Sequence, residues 1–554
     1  MYTVIRKHAL KNAYVHGKAD LKAVMPKVIG ELPETKKDIK GLVAKINEVL
    51  SEVNKLSKER ILAELESLAP ELLEAKVEEK GLRELPGVNG KVLMRFAPFP
   101  SGALHIGSSR AMVLNDEYVK KYKGELILFI DDTIGSEAKQ IMKDAYTLIP
   151  DGMKWLGCEY TKIHHKSDRL DAYYDYARKM IKKDLAYVCE CAGELMSDYR
   201  SQGIECQHRK QSIKDNLEKF EKMFTKYKQG EAVLRIKTDM KYKNPAFRDR
   251  VIMRISEVTH PRVGNKYRVW PLMDFSWAVD DLWLGVTHIY RGKDLYIEDL
   301  MENYIWEKMG EDYHPVMLHW GLLSIEGVKM SKSKAQLEVK SGGYTGWDDP
   351  RTWSMQSLSR RGIKPEAVRE FVLEMGVSEN DIKVPIEKLY TINRRMIDAT
   401  SLRYFFVKEP VRLVVSDCPL KKAEIPLHHT IKKSRSYVIE KGVNEYYISG
   451  DDVALLKKEK TIRLKDLMNI ELVSAGKTIK ARYAKDQEEV YNIRKIQFVT
   501  NANKEVNVLK EDGVIDKGLC EEYAKNVKTG EVVQFERYGF VRKESEKEYI
   551  YTHP

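Results

Sequence analysis

The sequence predicts an α/β protein: a parallel-sheet domain split by an insertion, preceded by a helical extension and followed by a helical connector and antiparallel β-barrels. Three observations predict it. Val92 to Phe96 and Leu126 to Ile130 are short apolar runs joined by a Pro/Gly loop and a helix-like stretch from Ile106 to Tyr122. Strand, loop, helix and strand in so short a span make a βαβ unit, with parallel strands and a right-handed crossover. Residues 35 to 80 repeat Ile39, Leu42, Val43, Ile46, Val49, Leu50 and Val53 at helical spacing, with Thr35 or Asp38 as caps. Beyond Phe406, alternating runs at Thr461–Leu467, Ile493–Val499 and Val532–Phe540 are separated by Gly and Asn turns, the pattern of antiparallel strands.

The elements follow in order. Pro70 and then Leu85-Pro86-Gly87 end the helical extension. The first strand enters Ala97-Pro98-Phe99-Pro100-Ser101-Gly102, and the second ends on Asp131-Asp132-Thr133. In a parallel sheet, ligands sit beyond the carboxyl ends of the strands, so this Rossmann-like unit places both turns in a binding crevice. From about 180 to 270 the chain is basic and polar, as expected of an insertion. The sheet pattern resumes from Trp270 to Thr287, and helix signals follow, including Pro365–Met375.

A chain of 554 residues is too long for one core, and roughly three to five domains are expected. Lys and Arg number 95 against 83 acidic residues, a formal charge of +12 that favours a polyanionic partner. The apolar run Leu126–Ile130 falls far short of the ~20 residues of a membrane span, and Met1–Lys7 has no signal-peptide core. A cytoplasmic protein without a membrane partner is the expectation. Six cysteines in this length do not make a disulfide framework.

Two segments carry chemistry. His105-Ile106-Gly107-Ser108 lies where the first loop turns into a helix, whose start offers N–H groups and the positive end of its dipole to phosphates. Gly107 lets a nucleotide approach the backbone, and His105 can donate to the charge that grows as phosphorus is attacked. Lys329-Met330-Ser331-Lys332-Ser333 places lysines on a loop, where they can hold the outer phosphates of ATP and neutralise the leaving pyrophosphate. Taken singly, each could be a capping histidine or a solvated lysine patch. Together they match the two signature elements of class I aminoacyl-tRNA synthetases.

Arg95-Phe96-Ala97-Pro98-Phe99-Pro100-Ser101-Gly102, Asp131-Asp132-Thr133, Trp270–Phe275, Gly285–Gly292, Trp347–Arg351 and Val533–Phe540 narrow the resemblance. From about residue 90 the chain resembles the glutamyl and glutaminyl branch, specifically glutamyl-tRNA synthetases of the archaeal type. That resemblance implies a domain order: N-terminal helical extension 1–88, first catalytic half 89–185, acceptor-binding insertion 186–269 and second catalytic half 270–325. The signature loop with a helical stem-contact region would then occupy 326–405, and an anticodon-binding β-barrel region 406–554.

The same resemblance implies a site. ATP is expected at Pro98, Gly102, His105, Gly107, Ser108, Lys329, Met330, Ser331 and Lys332, with Mg²⁺ on the nucleotide. His105, Lys329 and Lys332 are the expected catalytic groups. L-glutamate is expected at Arg95, Ala97, Asp131, Met273, Trp277 and Arg291, because two carboxylates and an ammonium call for guanidinium groups and an acid. Arg291 is arginine in glutamyl enzymes and smaller and uncharged in glutaminyl ones. The chain departs from the family at Met273 and Trp277, where a tyrosine and a smaller polar residue are usual. It departs also at Phe129, at Ile134-Gly135 and at Ser108. The implied product is glutamyl-tRNA(Glu), with tRNA(Gln) a second acceptor to consider. A glutaminyl enzyme and a catalytically silent RNA-binding paralogue are the alternatives.

Cys189, Cys191, Cys206 and His208 offer three thiolates and an imidazole, a set suited to tetrahedral Zn²⁺ with no open position. Such a site is structural and resembles the zinc site in the insertion of some glutamyl enzymes. Free thiols are the alternative reading. Arg209-Lys210, Arg360-Arg361 and Arg394-Arg395 are basic stretches able to meet tRNA phosphates.

Overall fold

The computed structural model describes residues 1–554 except 73–81, 135–139, 329–331 and 486–492. The chain divides into two compact units, Met1–Lys80 and Gly81–Pro554.

The first unit contains helices α1 (Tyr2–His16), α2 (Leu21–Glu31), α3 (Ile39–Val53) and α4 (Lys58–Leu68). Ile5, Leu10, Val24, Val28, Leu42, Ile46, Val49 and Leu65 form its core. Asp38 caps α3 by accepting the Gly41 N–H at 2.9 Å, whereas the Thr35 hydroxyl donates to the Leu32 carbonyl. The periodicity pointed to α3 and α4. It passed over α1, whose buried stripe is narrow and built from Ile5, Ala9, Leu10 and Ala13.

The second unit opens with strand β1 (Leu93–Phe96), helix α5 (Ser109–Lys121) and strand β2 (Glu125–Ile130), followed by helix α6 (Ala145–Trp155), strand β3 (Lys162–His165) and helix α7 (Leu170–Lys182). The three strands are parallel, with Arg95 beside Ile127 and Ile130 beside His165. Next comes an antiparallel sheet of β4 (Ala186–Cys189), β5 (Val233–Ile236), β6 (Val251–Ile255) and β7 (Val269–Pro271), with α8 (Gly193–Gln202) and α9 (Ile213–Thr225) between β4 and β5. Helix α10 (Met273–Leu284), strand β8 (His288–Gly292), helix α11 (Tyr296–Met309) and strand β9 (Val316–Trp320) follow. The Thr287 N–H donates to the Leu93 carbonyl at 2.9 Å, which brings β8 in beside β1.

The parallel sheet therefore resumes at His288, not at Trp270. Trp270 belongs to the antiparallel sheet, and Met273–Leu284 is helical. Residues 274 to 281 of α10 are all buried, so the helix shows no polar face and its apolar pattern lacks the 3.6-residue period.

Helices α12 (Lys332–Ser341), α13 (Met355–Arg360), α14 (Pro365–Glu374) and α15 (Glu387–Ile397) form the connector. Beyond it lie two seven-stranded sheets, mostly antiparallel, in which Val532–Phe535 pairs with Gly539–Lys543 and Thr461–Leu464 with Met468–Ala475. Arg361 is fully buried where connector and C-terminal sheet meet, donating to the Thr552 carbonyl at 2.8 Å. It is a structural residue, not a phosphate contact.

Candidate active site

Backbone bonds fix the loop after β1. The Asp131 N–H donates to the Pro98 carbonyl at 3.1 Å, Met142 to Pro100 at 2.9 Å, and Ile106 to Trp353 at 2.9 Å. Gly102 has φ +136° and lies against the Trp347 ring. His105 caps the helix start, its Nδ1 accepting the Gly107 N–H at 3.0 Å. A neutral ring in that arrangement carries its proton on Nε2, which is then a donor. His105, Gly107 and Ser108 are half-buried and stand at the N-terminal end of the helical stretch that continues into α5.

Lys329, Met330 and Ser331 lie outside the described residues, as does the side chain of Lys332. The helix that Lys332 opens is anchored beside the first signature segment. Ala335 packs with Ala103 and Trp347, and Lys340 donates to Gln140 Oε1 at 2.6 Å.

The expected amino-acid residues form a charged cluster around an indole. Arg95, on β1, donates twice to Asp281 at 2.7 Å, and its guanidinium lies 3.9 Å from the Trp277 ring centroid. Lys166, one residue past β3, places its ammonium 3.5 Å from the same centroid, 3.3 Å from Asp131 and 2.5 Å from the Ser276 hydroxyl. Asp131 also accepts the Thr133 hydroxyl at 3.0 Å. Burial lowers the Lys166 pKa, opposed by Asp131 and Asp280. Asp280, bound by Arg169 and Tyr173 at 2.6 Å each, is pushed up to about 6 by burial against the pull of Lys166 and Arg169.

Arg291 is similarly engaged. It donates to Asp299 at 2.6 Å and to both oxygens of Glu302 at 2.9 and 2.8 Å. Burial opposes its charge, but Glu302 and Asp299 hold the guanidinium above its ordinary range. Thus Arg95, Asp131, Trp277 and Lys166 come together, whereas Arg291 belongs to a neighbouring buried acid network.

A cleft of about 540 Å³ is lined by Phe99, Asp131, Thr133, Met273, Arg200 and Arg250, among others. Arg95, Trp277 and Arg291 do not line it. Arg250 bridges Asp274 at 2.9 Å and Glu298 at 3.1 Å. Sequence reading missed Arg200, Arg250 and Lys166. Only Lys166 had a signal, since it follows the carboxyl end of a parallel strand, where ligand-side residues gather.

Cys189, Cys191, Cys206 and His208 converge, with ligand atoms all within 4.8 Å of one another. Cys191 Sγ is 3.3 Å from Cys206 Sγ and 3.4 Å from His208 Nδ1, and Cys189 Sγ is 3.8 Å from Cys206 Sγ. Tetrahedral bonds of about 2.3 Å to sulfur imply ligand separations of about 3.8 Å, so the set fits one zinc-sized ion. Glu190 stands 3.4 Å from His208 Nε2, a carboxylate behind the imidazole. Burial and the neighbouring thiols push Cys191 up to about 12.

A parallel sheet, a histidine-capped helix start at its strand ends and a helix just past the second signature segment that packs against that loop define the catalytic domain of a class I tRNA synthetase. The family described as tRNA synthetases class I (E and Q), catalytic domain, matches residues 91–399, and its two anticodon-binding domains match 401–486 and 483–544. The chain belongs to this class I E and Q family. It is similar to the glutamate–tRNA ligase of Pyrococcus furiosus, 45% identical over 552 residues that cover 97% of this chain and 96% of that protein. Those of Thermococcus kodakarensis and Pyrococcus abyssi are each 44% identical, with the same shares covered.

Proposed function

We infer that the protein is a glutamate–tRNA ligase, which activates L-glutamate with ATP and transfers it to the 3′ end of tRNA(Glu). The observation that carries this is likeness at 45% identity to a relative of that name, running through 97% of the chain. In the first step, a carboxylate oxygen of glutamate attacks the α-phosphorus of ATP and the bond to the β-phosphate breaks, giving glutamyl-adenylate and pyrophosphate. In the second, a terminal ribose hydroxyl attacks the carbonyl carbon of that anhydride and AMP leaves.

Positioning and charge carry both steps, with no covalent enzyme intermediate. We assign the α-phosphate side to the His105 Nε2 donor and to the backbone of Gly107 and Ser108, with Pro98 and Gly102 shaping the loop. Lys329 and Lys332, with Met330 and Ser331, are assigned to the outer phosphates and to pyrophosphate, on a nucleotide that carries Mg²⁺. Asp131 and Met273 line the cleft, and we assign them, with Ala97 on the loop after β1, to the amino acid. Arg95 and Arg291 act indirectly, by holding Asp281, Asp299 and Glu302, and Trp277 by lying against the Arg95 guanidinium and the Lys166 ammonium.

Cys189, Cys191, Cys206 and His208 are assigned to a structural Zn²⁺, which cross-links the turn after β4 to the segment before α9. We place the reaction in the cytoplasm. No described helix is long and apolar enough to cross a membrane. Charging of purified tRNA(Glu) and tRNA(Gln) with labelled glutamate and glutamine tests the proposal. Glutamate on tRNA(Glu) is expected, and glutamine charging, or no charging, overturns it.

A further inference from the structure

The residue between the first two cysteines of the Cys/His cluster reaches its fourth member. Glu190, in the turn after β4, brings a carboxylate oxygen to 3.4 Å from His208 Nε2, while Nδ1 of the same ring faces the Cys191 and Cys206 sulfurs at 3.4 and 3.2 Å. A neutral ring that offers Nδ1 as a ligand carries its proton on Nε2, which then donates to the carboxylate. Helix α9 holds that carboxylate. The Lys219 ammonium donates to the oxygen nearest His208, and the Tyr227 hydroxyl donates to the other at 2.5 Å. Asn216, one turn before Lys219, accepts the Val188 N–H at 2.9 Å, and Gln211 donates to the carbonyls of Val188 and His208 at 2.9 and 2.8 Å. Both ligand segments are thus tied to α9 and the residues that lead into it.

We propose that Glu190 is the positioning residue of the metal site: braced by Lys219 and Tyr227, it fixes the His208 ring with Nδ1 towards the three sulfurs and so sets how tightly zinc is held. This rests on the zinc assignment above and deepens it. Three thiolates around a divalent cation leave one negative charge, the carboxylate adds another, and Lys219 offsets it. Carboxylates behind a ligating imidazole orient the ring and make it a better ligand, and their removal costs about 10- to 100-fold in metal affinity.

Competition of the full chain with a chromophoric chelator measures the effect. E190A should bind zinc about tenfold more weakly than the wild type, and E190Q, whose amide oxygen can still accept from Nε2 but carries no charge, should recover part of that loss. The chelator-treated wild type and E190A should melt at the same temperature, and the two should separate only when zinc is restored, a split that general damage to the fold would not give. Zinc affinity in E190A within about twofold of the wild type overturns the proposal, as does a melting temperature lowered equally with and without zinc. A wild-type protein that takes up no zinc overturns the metal assignment itself, whereas zinc held equally by all three proteins leaves that assignment standing without a part for Glu190.

Discussion

A β-carbon added to Gly102 would lie 2.1 Å from Cζ2 of the Trp347 indole, at a backbone φ of +136°. The loop leading to His105 is thus moulded against the segment that follows the second signature element, and Ala335 of α12 packs into the same cluster. Two segments more than two hundred residues apart in sequence meet through this contact.

Gly102→Ala should therefore be costly twice over, through steric overlap and through a φ that side chains rarely adopt. Loss of about 2 kcal/mol or more of stability is expected. The rate of ATP–pyrophosphate exchange should fall by about 100-fold, because the His105 loop moves. Thermal unfolding and exchange kinetics on the same preparation check both.

Replacing His105 with alanine removes both the cap and the Nε2 donor. Adenylate formation should slow by about 100-fold, while tRNA affinity, measured by filter binding, is unchanged. An effect confined to stability would reduce the histidine to a cap.

Asp281→Asn leaves Arg95 buried with its charge uncompensated. Breaking such a pair costs roughly 3–5 kcal/mol, read from urea unfolding. The double change Arg95→Met, Asp281→Leu should recover most of that loss, because it removes both charges.

His553 sits in the last strand, its Nε2 accepting from Asn393 at 2.9 Å and its ring stacked on Tyr390. Burial lowers its pKa from 6.5 to about 4. The folded state therefore favours the neutral ring, while the unfolded chain binds a proton below pH 6.5. This contribution to stability is present above that pH and is lost as pH falls towards 4, by roughly 3 kcal/mol in all. His553→Gln should flatten the slope of unfolding free energy between pH 6.5 and 4.5.

Chelation offers a fifth test. The purified protein should contain one zinc per chain, and Cys206→Ser should lose it. Melting temperature should fall on treatment with a strong chelator and return with zinc, and a metal-free protein of unchanged stability would contradict the structural assignment.

The parallel unit was legible because β1 and β2 are short apolar runs with a loop and a helix between them, and the structure puts both in register. Helix α10 was not, since residues 274 to 281 are all buried and leave no polar stripe. The Cys/His cluster could be recognised because its ligands come from two short segments. Arg95 and Arg291 could be identified as cations of the site, but not their burial or their partners, for Asp281 and Glu302 lie on helices that only folding brings near. The cluster of Lys166, Asp131 and Ser276 is assembled from three separate elements, so the position of Lys166 just past a parallel strand was its one mark in the sequence.

The most direct test of the account is a crystal structure of the protein with a non-hydrolysable ATP analogue and glutamate. The account predicts one triphosphate touched by His105 Nε2 and the Gly107 backbone at one end and by Lys329 or Lys332 at the other, with the glutamate carboxylate facing the α-phosphorus. A nucleotide bound elsewhere, or held by only one of the two segments with the other turned away, would contradict it.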